Sequence, residues 1–300
     1  MTVLRSHVEE ELASQPDCWA RAADAASGYA DVLPAAGERV AVIGCGTSLH
    51  VAAAYAAARE EAGAGLTDAF PASEARLDRG YDVILALSRS GTTTEVIDSL
   101  SGAPAGARRL TITADERAPL GAHTNDQIVL DYADEHAVVQ TRFATTSLAL
   151  LVTSLGIDIG LAVKQARDLL GEEVDNSLVD RPHYVFLGRG WTVGVAAEAA
   201  LKVREAAAAW SETYPAMEYR HGPLSAATDR SVVWFIGEPP AGLITDISIS
   251  GATIVADTLE PLADLVRAQR IAVATARARG LDPDRPRYLS RSVVLEPGQH

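Results

Sequence analysis

The stretch Asp82-Val83-Ile84-Leu85-Ala86-Leu87-Ser88-Arg89-Ser90-Gly91-Thr92-Thr93-Thr94 decides how the rest of the chain is read. An apolar run of strand length stops at a cluster of hydroxyls around one glycine, and a helix is expected to start there. A strand that feeds a helix through such a turn is the unit of parallel α/β sheets. The same order occurs upstream, where Arg39 to Ile43 leads into Gly44-Cys45-Gly46-Thr47-Ser48 and an Ala-rich helix to about Glu61. Further strands are expected at Arg108 to Thr113 and Gln127 to Asp131, and one long apolar helix from Glu135 to Leu155. The rhythm then restarts with a strand at Tyr184 to Leu187, the turn Gly188-Arg189-Gly190 and a helix over Val193 to Ala209. Val232 to Ile236 and Thr253 to Ala256 read as later strands, and Leu262 to Arg279 as the last helix. Residues 7–33 read as two short helices parted at Gln15-Pro16.

The expected fold class is therefore α/β, with two lobes that are each a mainly parallel sheet flanked by helices, a three-layer αβα arrangement. A chain of 300 residues is more than one core usually serves. The boundaries expected are 1–36 for N-terminal helices, 37–157 for the first lobe, 158–284 for the second and 285–300 for a tail.

Apolar content of 48% with 22% charge is that of a folded globular chain. A net charge of −14 argues against nucleic-acid or anionic-membrane partners, which select for basic surface. No signal peptide or bilayer-spanning run is visible, so a cytoplasmic location is expected. Cys18 and Cys45 supply neither a disulfide framework nor metal-ligand spacing, and no metal or cofactor is expected. Of the 26 Lys and Arg residues only Lys164 and Lys202 are lysines.

In an acidic chain an anion has to be held locally. Ligands of open α/β sheets sit beyond the carboxyl ends of the strands, where helix N-termini offer N–H groups and a positive dipole end. Thr47, Ser48, Ser88, Ser90, Thr92 and Thr93 add uncharged donors there, and Gly44, Gly46 and Gly91 allow close backbone approach. Either turn alone is explained by ordinary helix capping. Two such turns on neighbouring strands point instead to a phosphate monoester. A dinucleotide is disfavoured because Leu49 stands where the fingerprint needs a third glycine, and no Walker A lysine is present.

In the second half, Glu198, Lys202 and Glu205 share one helix face at i, i+4 and i+7. A solvated face with ion pairs would explain them, but the flanking residues are nearly all small and apolar. Glu198 reads as the structural ion-pair partner of Lys202. Glu212 and Glu218-Tyr219-Arg220-His221-Gly222-Pro223 follow.

Cys45-Gly46-Thr47-Ser48, Ser88-Arg89-Ser90-Gly91-Thr92-Thr93, the Glu198 to Glu205 helix and His221-Gly222-Pro223-Leu224 together resemble the double sugar-isomerase (SIS) domain family. That family includes the isomerase half of glucosamine-6-phosphate synthase, phosphosugar deglycases, and amino-sugar-phosphate deaminases and isomerases. The likeness extends to Val138-Val139-Gln140-Thr141-Arg142 and to the tail Arg285-Pro286-Arg287-Tyr288-Leu289-Ser290-Arg291-Ser292-Val293. The resemblance implies that Gly46, Thr47, Ser48, Ser88, Arg89, Ser90 and Thr93 hold a sugar phosphate, with Glu135, Val138 and Arg291 beside it. It further implies that Glu205 moves a proton between C1 and C2, that His221 of a partner subunit in a homodimer assists ring opening, and that the tail covers the site.

Two departures shape the expected reaction. No cysteine follows Met1 and no glutamine-hydrolysing segment is recognised, so a complete glutamine-dependent synthase is not expected. At Arg291 the synthase members carry a lysine that forms a Schiff base with the ketose, which a guanidinium cannot do. The reading is a phosphosugar isomerase, deaminase or deglycase acting on an amino-sugar phosphate or Amadori-type sugar phosphate by Glu/His acid–base transfer. The alternative is a non-catalytic phosphosugar-binding or sensor protein of the same fold.

Overall fold

A computed structural model describes residues 6–296. In chain order the elements are α1 (His7–Ala13), α2 (Gln15–Ala25), β1 (Val40–Gly44), α3 (Thr47–Glu61), β2 (Thr67–Pro71), β3 (Val83–Leu87), α4 (Thr94–Ser101), β4 (Arg108–Thr113), β5 (Asp126–Val129) and α5 (Arg142–Ser154). They continue as α6 (Gly160–Gly171), β6 (His183–Gly188), α7 (Thr192–Ala207), β7 (Trp210–Pro215), β8 (Ser231–Ile236), α8 (Leu243–Ser248), β9 (Thr253–Val255) and α9 (Pro261–Ala278). Among the described residues no helix is long and apolar enough to cross a membrane.

The chain divides into two compact units that interleave in sequence. Among the described residues the first lobe takes 17–136, 142–159 and 290–296; the second takes 6–16, 137–141 and 160–289. Both are α/β. The first holds a five-stranded sheet in the order β2-β1-β3-β4-β5 and the second a four-stranded sheet in the order β7-β6-β8-β9, with every pairing parallel.

The central strands β1, β3 and β8, and β6 after His183, are unbroken apolar or small runs with no exposed position, as strands covered on both faces must be. In the first lobe Ile43, Ile84, Val96, Leu100 and Leu120 pack in one core cluster. Buried Arg59 on α3 donates to the carbonyls of Glu38, Gly65 and Ala35 and to Thr67 Oγ1. The guanidinium thereby ties the end of the helix to β2.

Three sequence expectations need correction. The helix expected over 135–155 starts only at Arg142, because the Glu135 carboxylate accepts from the amides of Arg142 (2.9 Å) and Phe143 (3.2 Å) and caps α5 there. The edge strands β2 and β7 were not expected: Thr-Asp-Ala-Phe-Pro and Trp-Ser-Glu-Thr-Tyr-Pro are polar-interrupted and end in proline, which only a sheet edge tolerates. Helix α6 also escaped the sequence reading, as did the short α8 between β8 and β9.

Candidate active site

In a sheet ordered 2-1-3-4-5 the chain leaves β1 in one direction and β3 in the other, so a crevice opens between their carboxyl ends. Both hydroxyl-rich turns lie there: Gly44 to Ser48 follows β1, and Ser88 to Thr93 follows β3. Gly44 is required by packing, since a Cβ at this position would come within 2.8 Å of Ser48 backbone and side-chain atoms. At Gly91 the backbone has φ +58°, and a Cβ would meet Ala118 Cβ at 2.4 Å. A side chain is thus excluded on both conformational and steric grounds.

The capping explanation of these hydroxyls does not hold. The residue preceding α3 is Gly46, at φ +55°, and Thr93, which precedes α4, makes no side-chain capping bond. Ser88 Oγ instead accepts the Gly91 amide (3.1 Å), and Ser90 Oγ accepts the Thr92 amide (3.2 Å), so two hydroxyls shape the loop itself. Thr47, Ser48, Ser88 and Arg89 are all buried.

Other expected site residues join this loop directly. The Arg89 guanidinium donates to the carbonyl of Arg291 at 2.7 Å. Arg291 in turn donates to both carboxylate oxygens of Asp134 (2.6 and 2.8 Å) and to the carbonyl of Glu135 (3.1 Å). The Glu135 carboxylate is engaged at α5, so its backbone faces Arg291. An open cavity of about 640 Å³ borders Arg89, Ser90, Asp115, Asp131, Asp134 and Arg291. Asp134 lies in no motif, and Ser292, although part of the tail segment that resembles the family, had no role expected of it; both come to the loop through the fold.

Val138, Glu205 and His221 belong to the second lobe. Half-buried Val138 donates its amide to Asp284 O at 3.4 Å. On α7, Lys202 is 1% exposed and lies between two carboxylates, 2.5 Å from Glu205 Oε2 and 3.3 Å from Glu198 Oε1. The Glu198 pair expected from spacing is present, and Glu205 is a second and nearer partner. Glu205 lines a cavity of about 690 Å³ together with Arg285, Pro286, Arg287 and Tyr288. His221 is exposed at the end of a short helical turn that Arg220 anchors, by an ion pair to Asp246 (2.7 Å) and a bond to Ala241 O (3.0 Å).

The second sheet has its own crevice position, between β6 and β8. Thr192 Oγ1 fills the start of that turn: it accepts from the Arg189 amide (2.9 Å) and lies 2.8 Å from the acceptor Ile236 O. Gly237-Glu238-Pro239-Pro240 after β8 carries no hydroxyl and lacks two N–H groups. The Thr192 hydroxyl is thus engaged within the protein on both sides.

Residues 35–155 match the SIS domain family. The isomerizing glutamine–fructose-6-phosphate aminotransferase of Sulfurisphaera tokodaii is 27% identical over a match that covers 86% of this chain and 50% of that protein. The chain spans about half the length of the curated relatives it matches. Among solved structures, glucosamine-6-phosphate deaminase from Thermotoga maritima aligns with a TM-score of 0.80 and 25% identity over 97% of this chain and 100% of that one. Tagatose-6-phosphate ketose/aldose isomerase from Escherichia coli aligns with a TM-score of 0.78 over 98% of both chains at 19% identity, a likeness of fold alone.

Proposed function

We propose that the chain, whose residues 35–155 match the SIS domain family, is a phosphosugar isomerase, deaminase or deglycase. The observation that carries the reading is the pair of glycine-and-hydroxyl turns at the ends of adjacent strands β1 and β3. Names of similar proteins lend support: an isomerizing aminotransferase and a deaminase both act on six-carbon sugar phosphates.

In this reading Ser48, Ser88, Ser90 and Thr93, with the amides of the turns and the N-terminal ends of α3 and α4, take the phosphate. Uncharged donors suit a dianion in a protein whose net charge is −14. Glu205 is the base that moves a proton between C1 and C2. Lys202 holds one of its carboxylate oxygens, which fixes the orientation a proton transfer needs. His221 assists ring opening from the partner subunit of a homodimer. Arg291 forms no imine, so a substrate that already bears its nitrogen, an amino-sugar phosphate or Amadori-type sugar phosphate, is favoured.

The test is turnover of glucosamine 6-phosphate, fructose 6-phosphate and a 6-phosphorylated Amadori product, followed by release of ammonia or amine and by ketose formation. Glu205→Gln is expected to lower turnover by roughly 10²–10⁴-fold while calorimetric binding persists. Mixing inactive Glu205→Gln and His221→Ala chains restores activity if the histidine serves the neighbouring subunit. Binding of sugar phosphates by the unaltered protein with no turnover of any of them would instead favour a non-catalytic sensor.

A further inference from the structure

The segment Ser290 to Leu295 is laid across the phosphate loop and bonded to it residue by residue. Arg291 is held at both ends. Its Nη2 donates to both oxygens of the Asp134 carboxylate and its Nε to the Glu135 carbonyl, and its own carbonyl accepts from Arg89, which is only 2% exposed. Next in sequence, Ser292 Oγ accepts from Ser90 Oγ at 3.2 Å and lies 2.8 Å from Thr92 Oγ1. The Val293 carbonyl then takes the amide of Thr94 (3.2 Å), and the Leu295 amide donates to Thr94 Oγ1 (2.9 Å).

These bonds constrain the protons of the loop. A hydroxyl has one proton and two lone pairs. Ser90 Oγ accepts from the Thr92 amide and keeps its one proton to share between Ser292 Oγ and an incoming anion. Between Ser292 Oγ and Thr92 Oγ1 either hydroxyl can donate, so one of their two protons bridges the pair and the other is left for an incoming anion. Ser292 therefore belongs to the donor array of the loop, although it lies some 200 residues away in sequence.

We infer that Arg291 is a positioning residue. Its clasp with Asp134 holds Ser292 against Ser90 and Thr92 and so completes the phosphate loop, in place of any contact between the guanidinium and the ligand. The inference rests on the phosphosugar reading for the identity of the anion, but the clasp itself does not. A single ion pair at this exposure contributes little, with side chains 45% and 39% exposed. Nη2 spans both Asp134 oxygens while Nε reaches the Glu135 carbonyl, and with the buried Arg89 on the other side these bonds form a network that a lysine's single ammonium does not reproduce.

Two readouts on the full-length protein test this: calorimetric affinity for glucosamine 6-phosphate and for inorganic phosphate, and amide exchange at Thr94 and Leu295. Arg291→Ala and Ser292→Ala are each expected to weaken anion affinity about 3–10-fold, of the order of one charge-assisted bond. Arg291→Ala also speeds exchange at both amides, and in turnover its KM rises by more than its kcat falls. Arg291→Lys recovers part of the affinity, and the exchanged pair Asp134→Arg with Arg291→Asp recovers more than either single change. Unaltered exchange at Thr94 and Leu295 in Arg291→Ala would show that the clasp does not hold the tail. Faster exchange with unaltered affinity in both alanine variants would show that Ser292 is no part of the loop. Should the unaltered protein bind no sugar phosphate, the functional reading fails, while the exchange measurements still decide whether Arg291 anchors the segment.

Discussion

Lys202 shows how much one side chain decides. A lysine 1% exposed is a large desolvation cost unless its charge is matched, and it is matched twice, by Glu198 and Glu205. Glu198 is itself 2% exposed. Removing the ammonium leaves two carboxylates on one helix face without the cation between them. Lys202→Met is expected to destabilise the fold by roughly 3–5 kcal/mol in urea unfolding, and adding Glu198→Gln to recover a large part of the loss. A Lys202→Met variant within about 1 kcal/mol of the parent would mean that the triad is not held by charge. The spacing of the three residues was legible in the sequence. Which carboxylate the lysine approaches more closely was not, because i,i+3 and i,i+4 neighbours are nearly equidistant on a helix and burial chooses between them.

At the scale of elements, β8 and α9 meet through a polar contact inside the second lobe. Trp234 Nε1 donates to both oxygens of Asp264 (3.1 and 3.0 Å), and Arg267 pairs with the same carboxylate at 2.7 Å. Burial outweighs these partners and pushes the Asp264 carboxyl up to about 6, with the charge of Asp257 adding to the rise. The folded form therefore binds this proton more tightly than the unfolded form. Its contribution to stability is greatest at low pH and is lost as pH rises from about 4 through about 6, with a slope of at most about 1.4 kcal/mol per pH unit. Urea unfolding at several pH values across that window should show the decline, and Asp264→Asn should flatten it. An unchanged slope in the variant would place the titration elsewhere. Nothing in the apolar periodicity of α9 announced this contact: an aspartate three residues before an arginine reads as a surface pair until the helix is docked on the sheet.

Across the whole molecule, two lobes repeat one topology and use it differently. Each sheet has its crevice beside its first strand, and each first strand ends in a glycine against which the following helix packs: Gly44 against Ser48 and Gly188 against Thr192. Only the first lobe carries hydroxyls on both turns, whereas the Thr192 hydroxyl of the second is engaged within the protein. Titration calorimetry is therefore expected to give one sugar phosphate per chain, abolished or much weakened in Ser88→Ala. A stoichiometry of two would show that the second crevice also accepts the ligand.

The sequence by itself determined the α/β class, the alternation of strands and helices, and the two turns that make up the phosphate loop, because these depend on local periodicity and on the hydroxyl and glycine content of short segments. It also marked Arg291 as unable to form an imine. Tertiary contacts alone place residues 6–16 with the second lobe and bring Ser292 and Asp134 to the loop. Those facts depend on contacts between residues far apart in the chain, whose partners no local pattern specifies.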